Sequence, residues 1–498
     1  MDIKEYLKII DEVIEKGKYK DSWDSLYNYP VPMWYQNAKI GIFVHWGVYS
    51  VPAFRSEWYP RLMYIEGNEV YDHHIENYGK VSEFGYKDFV PMFKAEKFDP
   101  NEWLDLFEEA GAKYIVPVGE HHDGIAMYSS ELNEWNVMDM GPKRNILGEL
   151  RKAAESKGIE FCTSSHRAEH FWFFNRGREI KGSDVNDDTY RELYGPAVLS
   201  EGYYNAWDSG WHNIFAGAPT TEWCENWLAH TCEMVDKTKP SLIYFDWWIH
   251  NAAFKPYLKK FLAFYYNRGI EWGKEVVVNY KYNAMPEGTA VFDIERGQTS
   301  NIATRKWQSD TATSTKAWCH IEDNEYKEAY DIICDLIDIV SKNGNLLINV
   351  GPKADGTIVE QDRKILKEMG AWLKVNGEGI YDSTFWKTFG EGPTVVEDGD
   401  FSDTNRGAFT SRDIRYTYKK GNVYAFVLRC PDDGKVILNE MKHEFYREIP
   451  FGNDYIVKDV TLLATGGECE YNRTNDALTI DIGDFKSDKP ICFRISID

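Results

Sequence analysis

The chain is poor in the features that mark several protein classes. Its eight cysteines (Cys162, Cys224, Cys232, Cys319, Cys334, Cys430, Cys469 and Cys492) are scattered, form no CxxC pair and mostly fall inside apolar segments. That excludes a disulfide-stapled mini-protein and reads as buried thiols in a reduced, cytoplasmic setting. No apolar run approaches the roughly 18 residues of a membrane span. The N-terminus, MDIKEYLKIIDEVIEKGKY, lacks an apolar core of signal-peptide length. Basic residues are in deficit: 57 Lys+Arg stand against 80 Asp+Glu, a formal charge of −23. Such a field disfavours nucleic acid and anionic membrane as partners. Internal repeats and low-complexity segments are missing too.

What the chain has in quantity is aromatic rings: 18 Trp, 32 Tyr and 26 Phe, 15% of its residues. Two readings stand side by side, a ring-rich core and a polar-ligand site walled by flat rings. The hydrophobic share of 43% is ample for a sizeable core, which excludes a disordered chain. A length of 498 residues fits two to four domains, or one large barrel with an accessory domain.

Apolar spacing predicts an amphipathic N-terminal helix through Ile3, Tyr6, Leu7, Ile10, Val13 and Ile14. Short apolar runs then alternate with helices. The strands are 39–44 (KIGIFV), 113–118 (KYIVPV), 160–164 (EFCTS), 241–245 (SLIYF), 275–279 (EVVVN) and 346–350 (LLINV), with a further extended piece at 290–294. Helices are expected over 101–111, 145–158, 221–238 and 325–342, the last with Asn324 as N-cap. The stretch 170–220 is patchy and reads as a long active-site excursion. This alternation predicts an α/β protein whose catalytic part, residues 1–385, is an irregular (β/α)8 TIM-like barrel. After Tyr381 the segments become short, β-branched or aromatic, and separated by turns. Residues 386–498 are therefore expected to form a C-terminal antiparallel β-sandwich.

Barrel enzymes carry their chemistry at the C-terminal ends of strands. Here those ends hold His45-Trp46, then Glu57-Trp58; Glu120-His121-His122-Asp123; Ser165-His166-Arg167; Asp246-Trp247-Trp248; Tyr280-Lys281; and Glu295-Arg296. Asp246 and Glu295 are the two carboxylates that stand out, and carboxylates on separate strands suit glycoside hydrolysis. The alternatives are a salt-bridged barrel carboxylate at Asp246 and an ion pair with Arg296 at Glu295. The histidines invite a metal reading. Against it, HxH and HExxH spacings are missing, and the adjacent His121 and His122 are expected on opposite faces of a strand. Neutral imidazoles donating to sugar hydroxyls account for the same residues, so no metal or other cofactor is expected.

Five stretches carry a resemblance: 39–59 (KIGIFVHWGVYSVPAFRSEWY), 110–128 (AGAKYIVPVGEHHDGIAMY), 140–150 (MGPKRNILGEL), 242–248 (LIYFDWW) and 340–358 (VSKNGNLLINVGPKADGTI). In them the chain resembles glycoside hydrolase family 29, the retaining α-L-fucosidases. The resemblance implies a (β/α)8 barrel with a C-terminal β-sandwich, and a fucosylated oligosaccharide or glycoconjugate as substrate. It puts Asp246 on the family's nucleophile and His45, His121, His122, Glu57 and Trp58 on its sugar contacts. Phe43 and Trp318 fall on rings around the fucose C6 methyl. Glu295 is the first choice for acid/base, with Glu287 its rival and Glu57 a distant third. Three departures stand out. Tyr244 replaces a Trp two places before the nucleophile, SSHRAEH replaces a sugar-binding Tyr region, and Lys281 stands where some members have an Arg. Trp172, Tyr244, Trp247 and Trp248 are looser candidates for the leaving-group side. Asp184, Asp187 and Asp188 are either a polar subsite or solvated loop charges. A non-catalytic fucose-binding protein and a glycosidase of related specificity are the alternative functions.

Overall fold

A computed structural model describes residues 1–199, 218–403, 405–443 and 455–498. Part of the expected excursion, 200–217, lies outside the described residues. Parallel strands close a barrel: β1 (Ile40–Val44), β2 (Tyr114–Glu120), β3 (Glu160–Phe161, resumed at Thr163–Ser165), β4 (Leu242–Phe245), β5 (Val277–Lys281), β6 (Val291–Glu295), β7 (Trp307–Ala312) and β8 (Gly344–Val350). Each pairs with its sequence neighbour, and β1 closes the ring against both β2 and β8.

Helices cover the wall unevenly. α1 (Ile3–Lys16) starts at a capping box made by Asp2 and Glu5, and buries Tyr6, Ile10, Val13 and Ile14. α2 (Pro100–Glu109), α3 (Ile146–Lys157), α4 (Thr221–Thr238), α5 (Lys255–Trp272), α6 (Ala329–Ser341) and α7 (Glu360–Asn376) follow. Asn145 caps α3 at its start and left-handed Gly158 ends it, as their residue types require. No helix follows β5 or β6: residues 282–290 and 296–306 return to the start of the next strand as loops. This gap is the barrel's irregularity.

Two sequence readings need correction. β7 went unread because its inward residues, Gln308 and Asp310, are polar and leave no apolar run. The helix expected from Glu325 begins at Ala329, and Asn324 is no cap. Residues 313–327 instead form a loop whose two ends are tied by Thr315 N–H donating to Glu325 and Lys327 N–H to Thr313. The Asn324 side chain accepts from Ser314 Oγ at 2.5 Å.

Past the barrel come β9 (Thr384–Glu391), β10 (Ile414–Lys419), β11 (Asn422–Val427), β12 (Lys435–Leu438), β13 (Val457–Leu462), β14 (Gly467–Glu468), β15 (Glu470–Arg473), β16 (Leu478–Asp481) and β17 (Ile491–Ile497). One antiparallel sheet has the order β9-β10-β11-β17-β13-β14, the other β12-β16-β15. Ile414, Val423 and Phe493 of the first pack with Val436, Leu478 and Ile480 of the second in one core, which makes a sandwich. The boundary expected at 385/386 falls inside β9.

A buried ion cluster ties the sandwich to the barrel. Asp338 of α6 is fully buried, accepts from Lys342 at 2.5 Å, and accepts from Arg415 of β10. Removing one member of a buried cluster leaves uncompensated charge. Asp338→Ala is expected to destabilise the protein by about 3–5 kcal/mol, read as a lower urea midpoint.

Candidate active site

The C-terminal mouth of the barrel holds a cavity with about 410 Å³ of atom-free space. Phe43, His45, Glu57, Trp58, His121, His122, Tyr244, Asp246, Glu295 and Trp318 all line it. Sequence reasoning named each of them. Lys281 ends β5 from inside the barrel and reaches Glu295 from below, with Nζ 3.2 Å from Oε2. The cavity adds four residues left out of that set or left loose in it: His166, Glu169, Trp247 and Asp310.

Asp246 follows β4 directly. His166 Nδ1 lies 2.8 Å from its Oδ2, while His166 Nε2 lies 2.9 Å from Ser164 Oγ. An ionised carboxylate only accepts, so Nδ1–H donates to Asp246, and Nε2 shares a hydrogen bond with the serine hydroxyl. Burial alone would raise the Asp246 carboxyl. His166 first, then His122 and Lys281, outweigh that and hold it below the usual carboxylate range. The strongest of these influences comes from His166, in the SSHRAEH departure, and Lys281 is the weaker one.

Glu295 has the opposite surroundings. Burial pushes its carboxyl up to about 7, with Asp310 and Asp246 adding to the rise and Lys281 and Trp247 opposing it. The Trp247 indole N–H donates to its Oε2. Its partner is not Arg296, whose guanidinium lies 4.7 Å over the Trp318 ring and donates to the Ser314 carbonyl at 3.2 Å. Arg296 sits at φ +44, and this left-handed turn sends its side chain away. Backbone contacts from beyond β9 fix the Glu295 peptide. Its N–H donates to Asp400 Oδ1 at 2.8 Å, and Phe401 N–H donates to its carbonyl at 2.7 Å.

Burial holds the His45 ring neutral. Its Nδ1–H donates to Asn349 Oδ1 at 2.7 Å, and that amide is oriented by Nδ2–H donating to the Trp318 carbonyl at 2.7 Å. Nε2 is left as an acceptor, where the sequence reading had made the ring a donor. Among the described residues, His121 Nδ1 is buried without a hydrogen-bond partner. Glu57 accepts from the backbone N–H of Trp318 at 3.0 Å, and burial raises its carboxyl. Phe43 packs 4.8 Å from Tyr244 and 6.2 Å from Trp318, an apolar wall.

The adjacent histidines do not diverge, because β2 ends at Glu120 and strand alternation ends with it. Ligand atoms of His45, His121 and His166, and of His122, His166 and Asp246, come within 4.8 Å of one another. His166, common to both groups, already has each nitrogen engaged by Ser164 or Asp246.

Other readings are corrected by placement. Glu287 is outside the cavity, exposed and paired with Arg305 at 3.2 Å. Trp172 and Trp248 are buried, Trp172 under the Arg61 guanidinium and Trp248 stacked on Phe171. Asp184 is buried and accepts from the Tyr64 hydroxyl at 2.8 Å, a structural role. His166 and Glu169 were legible as strand-end polar residues. Asp310 was not, because β7 was not.

Comparison with known proteins decides the family. The model for alpha-L-fucosidase matches residues 7–378, and that for the alpha-L-fucosidase C-terminal domain matches 408–493. The chain belongs to the α-L-fucosidase family. It is a glycoside hydrolase by that membership. Rat tissue alpha-L-fucosidase is 31% identical over 85% of this chain and 82% of its own length. The human tissue enzyme is 30% identical over 84% and 80%. A solved structure of Thermotoga maritima alpha-fucosidase in complex with fucose superposes with a TM-score of 0.72 at 26% identity, covering 96% of this fucosidase and all of that chain.

The Asp400 contact yields a prediction. Asp400→Ala strands the Glu295 N–H, a loss of about 1–3 kcal/mol. Thermal melts are expected to show a lower midpoint, and fucoside hydrolysis to slow. Asp400→Asn keeps an acceptor oxygen and is expected to recover most of both.

Proposed function

We propose that the protein is an exo-acting, retaining α-L-fucosidase that removes terminal α-L-fucosyl groups from oligosaccharides or glycoconjugates by double displacement. One observation carries this reading: a single small cavity holds one carboxyl kept ionised, Asp246, and one kept protonated near neutrality, Glu295. A non-catalytic binding protein needs no such division.

In the first step an Asp246 oxygen attacks the anomeric carbon. The glycosidic C–O bond breaks as Glu295 gives its proton to the departing oxygen. Loss of charge at Asp246 removes one influence that raised the Glu295 carboxyl. Glu295, now ionised, takes a proton from water. The resulting hydroxide attacks the same carbon, breaks its bond to Asp246, and restores the α configuration. His45, His121, His122, Glu57 and Trp58 hold the sugar hydroxyls. Phe43 and Trp318, with Tyr244, surround the C6 methyl; a C6 hydroxyl there would be buried unpaired. Lys281 orients Glu295 from below.

Localisation in the cytoplasm is part of the reading. No described helix is long and apolar enough to cross a membrane, and all eight cysteines are free thiols, which supports a reducing compartment. The acidic composition argues against a nucleic-acid partner.

Release of nitrophenol from p-nitrophenyl α-L-fucoside is the first test, and EDTA is expected to leave it unchanged; EDTA-sensitive turnover would revive the metal reading. Asp246→Ala is expected to lose activity by about a thousandfold or more, with azide restoring part of it as β-fucosyl azide. Glu295→Ala should spare good leaving groups and lose natural glycosides, whereas Glu287→Ala should not show that split between leaving groups. The pH profile follows from the two carboxyls. Asp246 is depressed, so its ionised form persists to low pH. Glu295 is raised, so kcat/KM should fall as pH climbs through about 7. A profile flat to pH 9 would assign the proton to another group.

A further inference from the structure

A general acid sits where the leaving oxygen departs, so whatever that oxygen carries lies against Glu295. On that side stands Trp247, whose indole N–H donates to the Glu295 carboxyl. Its ring continues outward into two more. The Tyr282 centroid is 6.5 Å from Trp247, that of His250 is 6.2 Å from Trp247, and the Tyr282 and His250 rings are 5.5 Å apart.

Tyr282 is the anomaly. It lies just past β5 with its side chain 51% exposed, and its hydroxyl has no partner among the described residues. Its φ of +52 is a left-handed conformation unfavourable for a tyrosine. A large ring held half in water on a strained backbone gains little from burial, and strain of this kind gathers at ligand clamps. With Tyr280, Phe292, Glu287 and Arg305, Tyr282 lines an open groove with about 1120 Å³ of atom-free space. The groove exists because no helix follows β5 or β6.

We propose that Tyr282, with Trp247 and His250, is the platform for the leaving-group sugar, an uncharged pyranose whose C–H face lies on the Tyr282 ring, and that the groove receives the sugar after it. The pyranose offers an apolar face to a ring and an edge of hydroxyls to water, which suits a half-exposed aromatic. This rests on the fucosidase reading with Glu295 as acid.

Two substrates separate the platform from the chemistry. A fucosylated disaccharide carries a leaving-group ring; α-L-fucosyl fluoride carries none. Tyr282→Ala is expected to lower kcat/KM for the disaccharide about tenfold more than for the fluoride, the scale of one lost ring contact. Tyr282→Trp should restore the disaccharide. Tyr282→Gly, which relieves the left-handed strain, should behave as the alanine variant. Equal losses on both substrates, or no loss on either, would overturn the platform. Turnover of the fluoride by the unaltered enzyme tests the fucosidase reading alone. If the unaltered enzyme turns over neither substrate, that reading fails and the platform with it.

Discussion

Lys281 is a buried ammonium with more carboxyl groups around it than it can neutralise. Its Nζ lies 2.9 Å from Asp293, 3.2 Å from Asp310 and 3.2 Å from Glu295, and its charge is felt at Asp246. Burial would strip its proton; the surrounding acids keep it there, so Lys281 stays a cation. A single cation cannot hold so many anions in a medium of low polarity, so protons must stay behind. Burial raises both Asp293 and Asp310, which also hydrogen-bond to each other, and that needs a shared proton. Glu295 retains its proton for the same reason. Asp246 escapes because His166 and His122 serve it instead. The division between an ionised and a protonated carboxyl follows from how few cations the barrel interior supplies.

The network needs geometry that no single segment provides. Asp293 and Glu295 share β6, Asp310 comes from β7 and Lys281 from β5. Tyr244 of β4 closes the group by donating to Asp310 at 2.9 Å. Parallel pairing in register puts Lys281 beside Asp293 and Glu295 beside Asp310. The strands that lack following helices are those that carry Glu295 and Lys281. The same omission leaves the rim open beside Glu295, where Tyr282 stands. The segment between β9 and β10 returns to this rim, and Asp400 and Phe401 pin the Glu295 backbone. The sandwich connection is thus part of the active-site scaffold.

Much of this was legible. Strand ends are legible because apolar runs mark buried parallel strands, and polar residues after them face the barrel mouth. Asp246, Glu295 and the histidines were found this way. Polar strands carry no such mark: β7 reads WQSDTA, and its inward Gln308 and Asp310 look like loop residues. Lys281 was expected past a strand end, yet β5 extends two residues further and turns it inward. Rings were harder still, since Trp172, Trp247 and Trp248 read alike in sequence. Only Trp247 reaches Glu295; the others are core.

By itself the sequence determined the α/β alternation, the change to β texture after the barrel, and which ionisable residues stand at strand ends. Those follow from local periodicity and side-chain chemistry, which neighbouring residues carry. Tertiary structure decided the protonation states, because a carboxyl's proton depends on charges brought together from distant strands. It decided the partner of Glu295, which is Lys281 and not the adjacent Arg296, because a left-handed turn outranks sequence proximity. It also decided which of the many rings faces solvent near Glu295, since exposure is a property of the packed whole.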